Sequence, residues 1–366
     1  MATLFATGPK TTTTPATSHE LPLPTFYDPA RNADFHYDPN PETVLRDAVE
    51  WRRQHDIKPA AKDRRKIHLL LIDVQKDFCF PEGSLFVGGR NGRGAIEDNG
   101  RITEFIYRNL ARLTDVTCTM DTHFPFQIFF PSFWLDENDV HPPAHTMIQL
   151  DDIKEGRFRP NPAVTWWLAS GNYMWLERQV QYYVTELEKA GKYTLYLWPP
   201  HCLLGAPGHA LTGTVHEARL FHSFVRGAKG WVEVKGGNTL TENYSVLSPE
   251  VLMRHDGRPL AQKNTLFIKT LLEADAVLIA GQAASHCVKS SIEDLLGEIK
   301  AQDPALAKKV YVLRDCMSAV AVPDGRGGFL ADFTDDAEAA FDRFANAGMN
   351  VVRSTEKIDT WPGFPS

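Results

Sequence analysis

The sequence predicts an α/β fold, built on a doubly wound parallel sheet of about six strands with helices on both faces. Short apolar runs without polar alternation recur along the chain, as expected of parallel strands that are buried on both faces. These runs span residues 67–74, 116–120, 194–197, 231–234, 276–280, 310–313 and 351–352. Stretches with apolar residues three or four apart lie between the runs and predict amphipathic helices. The helices are expected over residues 102–113, 175–190, 266–273, 290–299 and 335–347.

The chain is expected to have three parts. Residues 1–65 form an N-terminal extension, with a low-complexity threonine run near its start and a helical pattern only over residues 41–54. Residues 66–355 form the main domain, and residues 356–366 form a C-terminal tail. Within the domain, residues 136–172 are rich in Pro, Asp, Trp and Asn, which predicts an insertion near the functional site. Long segments of this kind serve either as lids or as packing devices, and the sequence leaves both open.

Composition argues against several classes of function. Lys and Arg total 39 against 46 Asp and Glu, so the formal charge of -7 gives no reason to expect a nucleic-acid partner. No apolar stretch reaches the roughly 20 residues of a membrane span, and the N-terminus lacks the pattern of a secretory signal. The five cysteines include no Cys-x-x-Cys pair, which favours reduced thiols over disulfides or a zinc knuckle. We therefore expect a cytoplasmic protein that acts on a small molecule, with no nucleic-acid or membrane partner.

The ends of the predicted strands carry the residues with chemical potential. In a doubly wound sheet, ligands bind beyond the carboxyl ends of the strands, so residues at those positions converge on one crevice. The residues found there are Asp73, Asp121, His123, His201, Lys235 and Cys287. The glycines of residues 88–94 lack the spacing of a dinucleotide loop, so no nucleotide cofactor is expected.

Cys287 follows a strand directly and opens a predicted helix. Free N–H groups and the helix dipole at such a position favour a thiolate and can hold an oxyanion. An inert buried cysteine explains this segment equally well. A nucleophile also needs a proton carrier, and Asp73 at another strand end is suited to that role. Lys235 is the cation expected to pair with Asp73, because a buried carboxylate is costly unless it is paired.

Three motifs in chain order resemble the signatures of the nicotinamidase and isochorismatase-like cysteine hydrolases. They are Asp73-x-Gln75-x-Asp77-Phe78, Lys235-Gly236 with Tyr244-Ser245 downstream, and Gly281-x-Ala283-x-x-x-Cys287-Val288. The resemblance covers roughly residues 66–355. It implies a triad of Asp73, Lys235 and Cys287, an oxyanion hole made by the N–H groups of Ala283 and Cys287, and a homo-oligomer. It also implies a cis peptide bond between Gln282 and Ala283.

A second similarity points to nicotinamidases within that family. The segments Asp121-Thr122-His123 and Trp198-Pro199-Pro200-His201-Cys202 resemble the metal-binding segments of those enzymes. The resemblance makes Asp121, His123 and His201 ligands of a divalent ion, for which zinc is expected first and iron or manganese are alternatives. It also makes Phe78 and Trp198 the walls that enclose the substrate ring. The sequence departs from the pattern at Gln127, where some nicotinamidases have a further ligand nearby, and at Ser285, where the family often has Asp.

These observations predict hydrolysis of a small carboxamide through a thioester on Cys287, with nicotinamide converted to nicotinate and ammonia as the first expectation. Another small amide, such as a ureide, biuret or a carbamoyl compound, is the alternative substrate. A non-catalytic binding protein on the same fold is the alternative from another class.

Overall fold

The computed structural model describes residues 20–191 and 193–365, in which the regular elements follow one another along the chain. The strands are β1 (Ile67–Ile72), β2 (Asp115–Asp121), β3 (Trp134–Asp136), β4 (Met147–Ile148), β5 (Phe158–Pro160), β6 (Leu195–Tyr196), β7 (Val232–Lys235), β8 (Ala276–Gly281), β9 (Val310–Leu313), β10 (Ala321–Pro323), β11 (Phe329–Asp332) and β12 (Asn350–Val352). The α-helices are α1 (Pro41–Gln54), α2 (Lys76–Cys79), α3 (Gly94–Arg108), α4 (Leu150–Lys154), α5 (Thr165–Ala169), α6 (Tyr173–Ala190), α7 (Gly213–Arg226), α8 (Thr265–Glu273), α9 (Cys287–Gln302) and α10 (Thr334–Asn346).

Six strands form the central sheet in the order β12-β9-β8-β1-β2-β7, and every pairing between neighbours is parallel. All residues of β1, β8 and β9 are buried, so this sheet is covered on both faces. The cover is helical: α7 packs on β2 and against α3, and α9 packs on β8 and against α8. The predicted doubly wound α/β fold is confirmed.

One of the predicted apolar runs lies outside the central sheet. Residues 194–197 contain only the two-residue strand β6, which pairs antiparallel with β4. Because β4 belongs to the predicted insertion, this run completes a local two-stranded sheet. A short apolar run alone does not reveal which partner it pairs with.

Helix positions differ from the predictions where a buried face carries polar residues. The prediction over residues 102–113 starts too late, because α3 begins at Gly94 and buries Asp98 and Asn99 in its first turns. Helix α7 was not predicted at all, since its buried face mixes apolar residues with His222 and Arg226. Burial in both helices follows the helical period, but hydrophobicity does not.

The segment before β1 packs on the main domain through its helix. Helix α1 lies against α7, and the Tyr37 hydroxyl donates a 2.6 Å hydrogen bond to Glu217. At the other end of the chain, the indole of Trp361 stacks on Phe105 and Tyr311. The threonine run of the extension lies outside the described residues. The division into extension, domain and tail stays a prediction.

The predicted insertion forms small elements of its own. Strand β5 pairs antiparallel with β3, which ends where the insertion begins, and α4 and α5 both pack on α6, which follows it. On α5, Trp167 is exposed and its ring lies 6.2 Å from that of Phe124, which follows His123 in the chain. The insertion thus adjoins the loop after β2. Of the helices in the described part of the chain, none has the length and apolar character needed to cross a membrane.

Candidate active site

Four neighbouring strands deliver the polar side chains predicted from the sequence. In sheet order, β8 leads to Cys287 at the start of α9, β1 leads to Asp73, and β2 and β7 end on Asp121 and Lys235. Asp121 and Lys235 are directly paired in the β2–β7 register. Because the strands are parallel, their carboxyl ends share one edge of the sheet and bring these four residues together.

The Lys235 ammonium group is the centre of the cluster. Its Nζ lies 2.9 Å from Asp73 Oδ2 and 3.0 Å from Asp121 Oδ1. It also donates to the carbonyl oxygen of Asn243 at 3.0 Å and lies 3.7 Å from Cys287 Sγ. The sequence predicted the pairing with Asp73, whereas the contact with Asp121 emerges only from the structure. One buried cation therefore serves two carboxylates and the thiol.

The two carboxylates around Lys235 differ in their proton affinity. Burial raises the pKa of Asp73, with Lys235 opposing the shift and Asp121 adding to it. Burial would also raise the pKa of Asp121, but the charges of His123 and Lys235 outweigh it and hold this pKa well below its ordinary value. Asp73 has fewer compensating partners, chiefly Lys235 and the hydroxyl of Thr119. Of the two carboxylates, Asp73 is therefore the one that takes up a proton first.

Asp73 is held in a fixed orientation. Its backbone has a positive φ of 47°, and its N–H donates to Thr119 Oγ1 at 3.0 Å. The same hydroxyl donates to Asp73 Oδ1. With Oδ1 occupied by Thr119, Oδ2 faces Lys235, and the carboxylate lies within 4.8 Å of Cys287 Sγ.

Cys287 is the first residue of α9 and is 7% exposed. Burial raises the pKa of its thiol well above the ordinary value, although the charge of Lys235 acts in the opposite direction. The resting site therefore holds a neutral thiol. A helix N-terminus favours the thiolate, as does Lys235, but desolvation of the buried sulfur has the larger effect.

The loop before Cys287 presents two free backbone donors. The Gln282–Ala283 peptide bond is cis, as the family resemblance implies. Within the described chain, the N–H groups of Ala283 and Cys287 donate to no acceptor, whereas the adjacent Ala284 N–H donates to the carbonyl of Ser318 at 2.7 Å. Two unpaired N–H groups beside a thiol form the arrangement of an oxyanion hole.

Asp121, His123 and His201 form a compact group of possible metal ligands. One ligand atom from each lies within 4.8 Å of the others, and all three residues are buried. His123 Nε2 is 2.9 Å from Asp121 Oδ2 and His201 Nε2 is 3.6 Å from the same oxygen. Yet His123 Nε2 has no aligned hydrogen-bond partner among the described residues. A divalent cation between these atoms fits the donor set, because such a cation accepts lone pairs from both imidazoles and the carboxylate.

The other ring nitrogens of both histidines face carbonyl oxygens. His123 Nδ1 lies 3.3 Å from the Gly236 oxygen, and His201 Nδ1 lies 2.8 Å from the Pro199 oxygen. The Gln127 side chain donates to the Gly236 oxygen at 2.9 Å. Outer contacts of this kind orient the Nε2 atoms of metal-binding histidines.

A small cavity opens onto Cys287 and two of the possible metal ligands, Asp121 and His201. Both predicted walls line it. The lining residues are Phe78, Leu85, Val87, Asp121, Trp198, His201, Glu242, Tyr244, Ala283, His286, Cys287 and Val320. No residue of the predicted insertion, residues 136–172, lines the cavity. The insertion therefore lies beside the site without forming its wall.

Sequence reasoning missed Glu242 and His286 as lining residues and used Tyr244 only as part of a motif. Tyr244 accepts a 2.7 Å hydrogen bond from Trp198 Nε1, which fixes the indole. His286 immediately precedes the cysteine, and burial lowers its pKa to about 3, so its imidazole is neutral. Its position next to Cys287 in the sequence could have identified His286 as a residue of the site. Glu242 lies in a loop without periodicity, where nothing in the sequence marks it.

No family model matches the sequence, and no curated protein matches it. Among solved structures, the chain is similar to an Acinetobacter baumanii nicotinamidase and pyrazinamidase, with 18% identity, coverage of 80% of this chain and 99% of that chain, and a TM-score of 0.47. It is also similar to yeast nicotinamidase bound to the inhibitor nicotinaldehyde, with 17% identity, coverage of 78% of this chain and 99% of that chain, and a TM-score of 0.47. A third similar structure is Pyrococcus horikoshii pyrazinamidase in complex with zinc, with 18% identity, coverage of 79% of this chain and 99% of that chain, and a TM-score of 0.41.

Proposed function

We propose that this protein hydrolyses a small-molecule carboxamide through a covalent thioester on Cys287, with nicotinamide as the first substrate to test. The observation that carries the proposal is the position of Lys235, whose ammonium group contacts Asp73, Asp121 and the Cys287 sulfur. Of these partners, Asp121 and Cys287 line a cavity. A carboxylate of raised proton affinity, a thiol and free N–H donors are the parts that nucleophilic amide hydrolysis needs.

In the first step, Asp73 accepts the proton of the Cys287 thiol while the sulfur bonds to the amide carbon. The raised pKa of Asp73, which burial causes, makes its carboxylate a stronger base than an ordinary aspartate. Burial alone would lower the pKa of Lys235, but Asp121 and Asp73 hold it well above its ordinary value. Lys235 thus stays charged and stabilises the negative charge that develops on sulfur.

The tetrahedral intermediate carries its negative charge on the former carbonyl oxygen. The N–H groups of Ala283 and Cys287 donate to that oxygen, since neither has another acceptor in the described chain. Collapse of the intermediate breaks the carbon–nitrogen bond. Asp73 returns its proton to the leaving nitrogen, so ammonia departs and a thioester remains on Cys287.

Hydrolysis of the thioester uses the same residues in reverse order. Asp73 takes a proton from water, whose oxygen bonds to the thioester carbon. The carbon–sulfur bond then breaks, the sulfur regains a proton, and the carboxylic acid leaves. The sum is one amide and one water converted to one acid and one ammonia, so Asp73 acts as base and as acid in turn.

Asp121, His123 and His201 are the residues that would hold a divalent ion. Their donor set of one carboxylate and two imidazoles is suited to zinc, with iron and manganese as alternatives. A bound ion supplies a Lewis acid that attracts a lone pair of the substrate. Phe78 and Trp198 line the same cavity and offer aromatic surface to a planar ring.

The test is ammonia release from nicotinamide, pyrazinamide, a ureide and biuret, each with and without a chelator. We expect turnover of the aromatic carboxamides and loss of that turnover with the chelator. Turnover of the ureide or biuret by metal-free protein, without turnover of nicotinamide, would favour the alternative substrate class. Absence of ammonia from every amide would favour a binding protein.

Cys287→Ala is the matched variant for this assay. We expect it to lower kcat by at least about a thousandfold while the fold persists, because the nucleophile is lost and the volume change is small. Cys118→Ala, which removes another buried thiol within β2, serves as the control and should retain turnover. Equal activity in both variants would contradict the assignment of Cys287 as nucleophile.

A further inference from the structure

Glu242 is a buried acid inside the proposed substrate cavity. It is 3% exposed, and it lines the cavity together with Cys287 and His201. It does not belong to the group of possible metal ligands around Asp121. The catalytic steps above do not use it, so its place in the cavity needs a separate explanation.

The backbone around Glu242 is firmly held. Its N–H donates to the Tyr183 hydroxyl at 3.1 Å, and its carbonyl accepts from the Glu250 N–H at 2.9 Å. One carboxyl oxygen, Oε1, accepts from the Asn243 N–H at 2.9 Å. The side chain is therefore fixed in the cavity wall.

The second carboxyl oxygen of Glu242 has no hydrogen-bond or ion-pair partner in the described part of the chain. The nearby ammonium of Lys235 is already shared by Asp73 and Asp121. Burial, followed by the charge of Asp121, raises the pKa of Glu242 well above its ordinary value, and a hydrogen bond donated by a ligand would oppose this shift by favouring the carboxylate. Because Glu242 lines the cavity and this oxygen has no partner among the described residues, a ligand group is a natural partner for it.

We propose that Glu242 receives a hydrogen-bond donor of the substrate, so that the preferred substrate is a planar carboxamide with a second N–H group, such as a ring amine, away from the scissile amide. This inference rests on the proposed amide hydrolysis. The apolar walls of the cavity favour a flat ring. They comprise Phe78, Leu85, Val87, Trp198 and Val320. The unpaired oxygen of Glu242 is a polar group that fixes the orientation of such a ring and selects against rings that lack the donor.

Matched pairs of substrates test this assignment. The 2-, 5- and 6-amino derivatives of nicotinamide are each compared with the methyl derivative at the same position, which is similar in size but has no N–H group. The measured quantity is the amino-to-methyl ratio of kcat/KM in wild-type protein, Glu242→Gln and Glu242→Leu. An amino group also changes the ring electronics, so the decisive quantity is the change of this ratio between proteins.

For at least one position on the ring, we expect the ratio to fall by about tenfold to a hundredfold from wild type to Glu242→Leu, with Glu242→Gln in between. Glu217→Gln, which alters a buried acid of α7 that contacts Tyr37 and does not line the cavity, should keep the wild-type ratio. If the Glu242→Leu protein does not fold, the amino-to-methyl ratio measured in Glu242→Gln tests the assignment. Ratios that stay at the wild-type value in the Glu242 variants at every position would overturn the assignment.

Binding measurements separate this inference from the proposed function. The same pairs are titrated calorimetrically into Cys287→Ala protein, with and without Glu242→Gln. A binding preference for the amino compound that depends on Glu242, without any ammonia release by wild type, would overturn the proposed hydrolysis alone. Equal binding of both members of every pair would overturn the role of Glu242.

Discussion

At the scale of single residues, the site depends on one buried cation that several acidic groups share. Lys235 contacts Asp73 and Asp121, and its charge lowers the pKa of Cys287 against the larger effect of burial. The two carboxylates separate in proton affinity because Asp121 also interacts with the histidines, whereas Asp73 does not. Pairs of titratable groups whose environments drive their pKa values apart are typical of acid–base catalysis.

The first prediction concerns Lys235→Met. Loss of the ammonium group removes the charge that lowers the Cys287 pKa, so alkylation by iodoacetamide should become about tenfold or more slower at a given pH. Mass spectrometry of labelled Cys287 over a pH series measures this rate, with Lys229→Met as the exposed control. Removal of one partner of a buried pair also destabilises the fold, by about 3–5 kcal/mol. The comparison is therefore made on folded protein, and coincident pH profiles would show that Lys235 does not tune the thiol.

The second prediction concerns the possible metal ligands. Purified wild-type protein should contain about one divalent ion per chain, and His201→Ala should contain much less, because a three-ligand site tolerates the loss of a ligand poorly. Elemental analysis by mass spectrometry measures the stoichiometry without any assay of activity. His209→Gln is the control, since His209 contacts Thr122 close by but is not one of the clustered ligands. Equal metal content in all three proteins would contradict the site.

At the scale of elements, helix α3 supports the loop that carries the oxyanion donors. Asp98 of α3 is buried and accepts hydrogen bonds from Gln282 Nε2 at 2.9 Å and Ser318 Oγ at 2.7 Å. Arg101 donates to its other oxygen at 2.8 Å. The free N–H of Ala283 is thus held in place by a neighbouring helix as well as by its own strand and helix.

The third prediction follows from this support. Asp98→Ala should lower kcat for amide hydrolysis by about a hundredfold, because the oxyanion donors lose their alignment. Alkylation of Cys287, which needs no oxyanion hole, should change by less than about twofold in the same variant. Asp335→Asn, which alters an exposed acid paired with Arg90, should leave both rates unchanged. A parallel fall of both rates would indicate general disruption of the site instead.

At the scale of the whole molecule, the fold buries histidines in neutral form far from the site. His222 of α7 is fully buried, and its Nε2 donates to the Leu113 carbonyl at 2.9 Å. Burial lowers its pKa from 6.5 to about 4. Between these two pH values the unfolded chain binds a proton that the folded chain does not bind. The free energy of unfolding therefore falls as the pH falls through this range.

Assembly into a homo-oligomer stays a prediction.

The fourth prediction is the pH dependence of global stability. The free energy of unfolding of wild type should fall relative to His222→Gln by about 3 kcal/mol as the pH falls from about 7 to about 4. Glutamine can donate to Leu113 but does not titrate, and the other ionisable groups are common to both proteins. Urea denaturation at several pH values gives the difference directly. A constant difference between the proteins across this range would show that His222 is not held neutral by the fold.

Much of the site was predictable from the sequence because apolar runs mark parallel strands. Once the ends of β1, β2, β7 and β8 are located, a parallel sheet brings their carboxyl ends to one edge. Asp73, Asp121, Lys235 and Cys287 were accordingly expected to meet, and they do. The strand ends were found without knowledge of the strand order, because periodicity and burial are local properties of the chain.

The sequence by itself thus determined the fold class and the residues that converge on the crevice. Only the tertiary structure decided what surrounds them. The contact of Lys235 with Asp121, the unpaired oxygen of Glu242 and the bond of Asp98 to the oxyanion loop join segments far apart in the chain. The protonation of Cys287 is likewise set by desolvation, which depends on every element packed around the sulfur. The hydrophobic pattern of a sequence indicates where strands and helices lie along the chain. The pairing of side chains, their burial and their charge balance depend on segments that meet only in the folded core.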